Sequence, residues 1–131
     1  MQKIIPHLLS LWFLFVLMGN PPQGGDQQLK TYLALGDSYT IGESVEEEMR
    51  WPNQLARILN QSGLSIENPH IIAQTGWTTD ELLMAVDSAD LKNHYDYVSL
   101  LIGVNNQYRG RSVDSFVPEF TTLLERAIAL S

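Results

Sequence analysis

Three short apolar runs, at residues 32–35, 70–74 and 97–103, alternate with amphipathic stretches. Each run leads into a glycine-bearing polar cluster: Gly36-Asp37-Ser38, Thr75-Gly76-Trp77 and Gly103-Val104-Asn105-Asn106. Strand, turn and helix in repeated alternation is the pattern of βα units, which assemble as a parallel sheet with helices on its faces. In sheets of this kind ligands sit beyond the carboxyl ends of the strands, near the point where strand order reverses. The three clusters are therefore expected to converge on one site.

The intervening segments carry helical periodicity. Pro52 follows Trp51 where a first turn tolerates proline, and Trp51, Leu55, Ile58 and Leu59 fall on one stripe that Gly63 ends. Thr78-Thr79-Asp80-Glu81 has the spacing of a capping box ahead of Leu82, Leu83 and Val86. The run at 97–103 is almost continuously apolar, the composition of a strand buried on both faces. Val113, Phe116, Val117, Phe120, Leu123, Leu124, Ala127 and Ile128 mark a last helix, with Pro118 expected in its first turn.

A chain of 131 residues is long enough for one domain with a real core. Fifteen acidic against eight basic side chains give a net charge of −7, which excludes the basic stripe expected of a nucleic-acid or anionic-lipid binder. There is no cysteine, hence no disulfide, thiolate metal site or thiol nucleophile. Glu46-Glu47-Glu48 has no histidine partner at ligand spacing, so no metal site is expected.

Residues 1–25 read as a segment apart from the folded domain at 26–131. A single Lys3, an apolar stretch at 8–18 broken by Ser10, and Gly19-Asn20-Pro21-Pro22-Gln23-Gly24-Gly25 have the layout of a secretory signal peptide and linker. The expectation is an exported protein: periplasmic, secreted or membrane-anchored. An uncleaved anchor is the alternative, although the run falls short of the ~20 residues that span a bilayer.

The clusters hold the parts of an acyl-transfer site. Ser38 lies on a glycine-led turn after a strand, a position for a nucleophile and equally for a turn or cap serine. The N–H of Ser38, the N–H of Gly76 and the side-chain amide of Asn105 can supply three donors to a developing oxyanion. Glycine at 76 leaves room for substrate to approach the backbone, and asparagine at 105 donates without charge. Asp37 suits bracing of the turn by local hydrogen bonds. Arg109 is the substrate-binding candidate, able to meet a carboxylate or sugar, with a solvated loop arginine as the plainer alternative.

With these three clusters in this order, the chain resembles the SGNH, or GDSL, family of serine esterases and lipases. Gly36-Asp37-Ser38 matches the first family block, Gly76 the glycine of the second, and Gly103-Val104-Asn105-Asn106 the G-x-N-D block, with asparagine replacing its aspartate. The resemblance extends over residues 31 to about 128. It implies a flavodoxin-like three-layer α/β/α fold with a parallel sheet, and hydrolysis of a small-molecule, lipid or carbohydrate ester through a serine acyl-enzyme. It implies no cofactor, and makes Ser38 the nucleophile with Gly76 and Asn105 in the oxyanion hole.

The family's catalytic histidine belongs to a D-x-x-H motif, and here no aspartate is followed three residues later by histidine. His7 falls in the leader-like segment, and His70 and His94 precede the second and third runs, at the wrong end of the expected sheet. The chain thus reads as the amino-terminal part of such an enzyme, ending after about three βα units and nearly inactive as it stands. The alternative is an exported, non-catalytic domain that binds a small acid or carbohydrate at the strand ends.

Overall fold

The strand β1, Tyr32–Gly36, is buried along its whole length. Its side chains alternate between two cores: Leu33 and Leu35 face one, Tyr32 and Ala34 the other. That is why the run carries no polar residue on either face. β1 is the centre of the parallel sheet, with β2 (His70–Ala73) on one side and β3 (Tyr97–Leu101) on the other. The computed structural model of the chain describes residues 28–131; the expected leader and linker at 1–25 lie outside them.

Among the described residues five α-helices accompany the strands: α1 (Ser38–Ile41), α2 (Trp51–Gln61), α3 (Thr79–Ser88), α4 (Val104–Tyr108) and α5 (Val113–Ala129). α2 covers one face, where Ala56, with partly buried Trp51 and Leu59, packs on Tyr32, Ala34 and Ile66. α3 and α5 cover the other, where Leu82, Val86, Leu123 and Ala127 enclose Leu33, Leu35 and the fully buried Tyr95. The result is the three-layer α/β/α arrangement expected from the sequence. No helix among the described residues is long and apolar enough to cross a membrane.

Three local expectations are corrected. The apolar run at 97–103 is not buried on both faces: β3 is an edge of the described sheet, with Tyr97 41% and Leu101 42% exposed. Burial of a strand depends on its place in the sheet order, which run composition does not reveal, and among the three described strands the middle place belongs to β1. The α2 stripe is shifted, for Pro52 and Ala56 are buried while Ile58 is 54% exposed. Pro118 sits inside α5 rather than in its first turn; it leaves the Asp114 carbonyl without a helical donor, and both residues are exposed. The segment carrying Asn105 is a short helix, α4.

Strand register sets the level of the site. Gly36 pairs with Ala73 of β2 and with Leu101 of β3, so three adjacent strands reach their carboxyl ends together. Strand order reverses about β1: the chain steps from β1 to β2, then crosses to the far side of β1 for β3.

Candidate active site

The turn after β1 requires glycine for steric reasons. A Cβ at Gly36 would lie 2.1 Å from Thr40 Oγ1 and 2.7 Å from the Leu101 carbonyl oxygen, so α1 and the end of β3 close in on that backbone. Asp37 then caps α1: its Oδ1 accepts the Tyr39 N–H at 3.0 Å, and its carbonyl oxygen accepts those of Thr40 and Ile41. The Asp37 side chain is fully buried and its Oδ2 has no partner among the described residues. Burial pushes its pKa above the ordinary carboxylate value, the Tyr39 N–H opposing that rise in part.

Ser38 is the first residue of α1, where a helix leaves a backbone N–H without an intrahelical acceptor. The residue is half-buried, and its hydroxyl has no hydrogen-bond partner among the described residues. α1 lasts one turn because Gly42 takes a left-handed conformation (φ 68°) and bonds back to the Ser38 carbonyl. Beyond it, Glu43 accepts the hydroxyl proton of Thr75, tying the segment after α1 to the one after β2.

That second segment turns at Gly76, whose φ of 84° suits a residue without a Cβ. It is held by its neighbours. The Asn105 amide donates to the Trp77 carbonyl at 2.8 Å, and Arg109 Nη2 donates to the Gly76 carbonyl at 2.6 Å. Arg109 also meets Glu81 at 3.2 Å, and Arg111 meets Asp80 at 2.5 Å. The predicted capping box is present, with Glu81 Oε2 accepting the Thr78 N–H at 2.9 Å. These bonds hold both carboxyls below their usual range: Glu81 chiefly through the Thr78 N–H, Asp80 chiefly through the Thr78 hydroxyl, with Arg109 and Arg111 adding to it.

The third segment begins at Gly103, whose φ is 129° and where a Cβ would lie 2.9 Å from the Phe116 ring. α4 carries Asn105, half-buried, and Asn106, only 2% exposed. Asn106 Oδ1 accepts the Thr79 N–H at 3.1 Å and its Nδ2 donates to Thr79 Oγ1 at 2.7 Å, so it pins the start of α3.

Gly76, Asn105 and Arg109 are thus bonded into one unit, and Ser38 leaves the neighbouring central strand at the same level. The guanidinium of Arg109, the substrate-binding candidate, is engaged on Gly76 and Glu81. Thr79 was read from the sequence only as part of the capping box; its tie to Asn106 spans 27 residues, beyond the reach of local pattern. His70 opens β2 at the opposite end and hydrogen-bonds Tyr95 at 2.9 Å, while His94 is exposed. Among the described residues no three His, Asp or Glu side chains gather as metal ligands. A wide groove lined by Arg50, Asn53, Arg57 and Asn60 lies beside α2, and none of the site residues lines it.

Over residues 34–131 the sequence matches the GDSL-like lipase/acylhydrolase family. Among solved structures it is similar to AlinE4, an SGNH-hydrolase family esterase, with 26% identity and a TM-score of 0.63 over 76% of this chain and 53% of that one. The psychrotrophic esterase EstA from Pseudoalteromonas sp., inhibited by monoethylphosphonate, is 22% identical with a TM-score of 0.64, covering 77% of this chain and 55% of its own. TesA is 19% identical with a TM-score of 0.64 over 76% and 55%. For these last two the likeness is one of fold. The chain spans about half the length of the solved structures it matches. No curated protein matches it.

Proposed function

The chain belongs to the GDSL-like lipase/acylhydrolase family, and from that membership we propose that its strand-end site hydrolyses carboxylic esters, with Ser38 as nucleophile. The observation that carries this reading is the position of Ser38: it heads α1 at the end of the central strand, level with the joined segments of Gly76 and Asn105. Ser38 Oγ attacks the ester carbonyl, the alcohol leaves, and water releases the acid from the acyl-enzyme. The developing oxyanion is met by the N–H groups of Ser38 and Gly76 and by the Asn105 amide. That amide has two hydrogens; one is given to Trp77, and the second is free to serve the oxyanion.

The serine needs a base, and neither described histidine lies on its side of the sheet. Turnover by these 131 residues alone is therefore expected near background, from oxyanion donors and binding. The proposed substrates are small-molecule, lipid or carbohydrate esters, met outside the cytoplasm on the strength of the leader-like pattern at 1–25. The test is hydrolysis of p-nitrophenyl acetate by the protein expressed to its natural stop codon, with and without Ser38→Ala. Loss of turnover in the variant supports the reading; equal turnover in both defeats it.

The placement of His70 and His94 away from Ser38 favours a second reading, a domain that binds a small acid or sugar without turning it over. Calorimetric binding by the same protein, with no hydrolysis of any ester offered, would select it.

A further inference from the structure

The family block G-x-N-D has asparagine in place of aspartate here, at Asn106, and the structure supplies a reason. The Thr79 N–H can only donate, so the side-chain atom facing it at 3.1 Å is the Asn106 oxygen. The Asn106 nitrogen therefore faces Thr79 Oγ1, at 2.7 Å, and can only donate to it. The hydroxyl, having accepted there, has its single proton left to give, and it gives it to Glu119 of α5. Thr79 has no exposed surface and Asn106 is 2% exposed, so water does not relax the ordering between these two, while Glu119 is half-buried. The direction of every proton in the chain from Asn106 through Thr79 to Glu119 is determined.

We propose that Asn106 and Glu119 are a matched pair, and that Glu119 is a positioning residue for α4, the helix that carries Asn105. A carboxylate at 106 can accept the Thr79 N–H but cannot donate to the hydroxyl. The hydroxyl has one proton for two carboxylates, so either the new group or Glu119 is left facing oxygen lone pairs. Aspartate at 106 thus requires a donor at 119. Glutamine is that donor: its amide gives a hydrogen to Thr79 Oγ1 and the hydroxyl proton turns to 106, reversing the whole chain. The inference goes beyond the esterase reading and does not depend on it, because its readout is folding.

The charged groups next to this chain of hydrogen bonds are Asp80 and Glu81, which follow Thr79 on α3, and Arg109 and Arg111 after α4. The two arginines are paired with the two carboxylates, and Glu119 acts on Arg111 through space. The test is a folding cycle on the full chain at pH 7 with Asn106→Asp, Glu119→Gln and both together, followed by denaturant titration. Asn106→Asp should lower the folding constant roughly ten- to a hundredfold, the cost of an unsatisfied buried polar group. Glu119→Gln, whose amide can turn its oxygen to the hydroxyl, should change it little. The double variant should recover most of the loss.

The deficit of Asn106→Asp should also shrink as pH falls. A carboxyl at 106 that keeps its proton in the fold favours folding below its unfolded pKa of about 4 and loses that contribution as pH rises. The double variant should show less of this pH dependence. Additive effects in the cycle, or Asn106→Asp as stable as the parent at pH 7, would overturn the proposal. If Asn106→Asp does not fold at all, the double variant decides: folded, it supports the pair, and unfolded, it sinks it.

Discussion

Asn105 on α4 and Arg109, which caps the carboxyl end of that helix, stand one turn apart and hold successive carbonyls of the same short segment, Asn105 that of Trp77 and Arg109 that of Gly76. A left-handed turn at Gly76 is not fixed by its own backbone alone, and these two charge-neutral and charge-assisted bonds supply the missing constraint. The segments after β2 and β3 therefore form one unit. Their alignment with Ser38 follows from parallel register, since Gly36, Ala73 and Leu101 are paired neighbours.

Asn105→Ala removes both the bond to Trp77 and the proposed oxyanion donor. In the protein expressed to its stop codon, kcat for a p-nitrophenyl ester should fall about a hundred- to a thousandfold with little change in KM, the usual cost of one oxyanion donor. Stability should fall by ~1 kcal/mol, the net worth of one hydrogen bond. A change confined to KM would remove Asn105 from the oxyanion site.

Arg109 has two possible tasks that kinetics can separate. As a brace of the Gly76 carbonyl, its replacement by leucine should lower kcat for neutral and anionic esters alike, because a misplaced donor harms the transition state whatever the acyl group. Lysine should rescue poorly, since one ammonium cannot reproduce a planar fork spanning Gly76 and Glu81. A rise in KM limited to esters carrying a carboxylate would instead make Arg109 a substrate ligand.

The α/β/α layering was legible from the sequence because β1 must serve two cores, so Leu33 and Leu35 as well as Tyr32 and Ala34 had to be apolar or aromatic. The capping box at Thr78 and Glu81 was legible because it is local. The exposure of β3 was not, for Tyr97 and Leu101 differ from β1 residues in sheet position and not in composition. Nor was the partnership of Asn106 with Thr79 and Glu119, whose members lie on three different helices. Ser38, Gly76 and Asn105 stand out as candidates because each lies in a polar cluster at the end of an apolar run, and the roles given to them belong to the proposed esterase site.

The start of β1 is fastened to the start of β3 by Asp96. Its carboxylate accepts from Lys30 Nζ at 2.9 Å, the Thr31 N–H at 2.8 Å and the Thr31 hydroxyl at 3.0 Å. These bonds, that of Lys30 first, hold its pKa far below the ordinary carboxylate range. A depressed folded pKa means stability that is present above the unfolded value of about 3.9 and lost as pH falls below it. Asp96→Asn should therefore melt below the parent at pH 6, and the two curves should converge toward pH 2. A constant gap across that range would show that the charge contributes nothing.

Asp37 should behave with the opposite sign. Its side chain is fully buried, one oxygen accepts the Tyr39 N–H, and the other has no partner. Burial raises its pKa, so the fold prefers the protonated carboxyl. A raised folded pKa contributes stability that is complete below the unfolded value and is lost as pH rises through the folded one. At neutral pH the ionised carboxylate therefore works against folding. Asparagine keeps the size of the side chain and the acceptor for Tyr39 while removing the charge. Asp37→Asn should melt above the parent at pH 7 and close to it at pH 3, as followed by thermal denaturation across that interval. A variant less stable than the parent at pH 7 would mean that the unpartnered oxygen is satisfied as an anion, and that the turn carrying Ser38 depends on its charge.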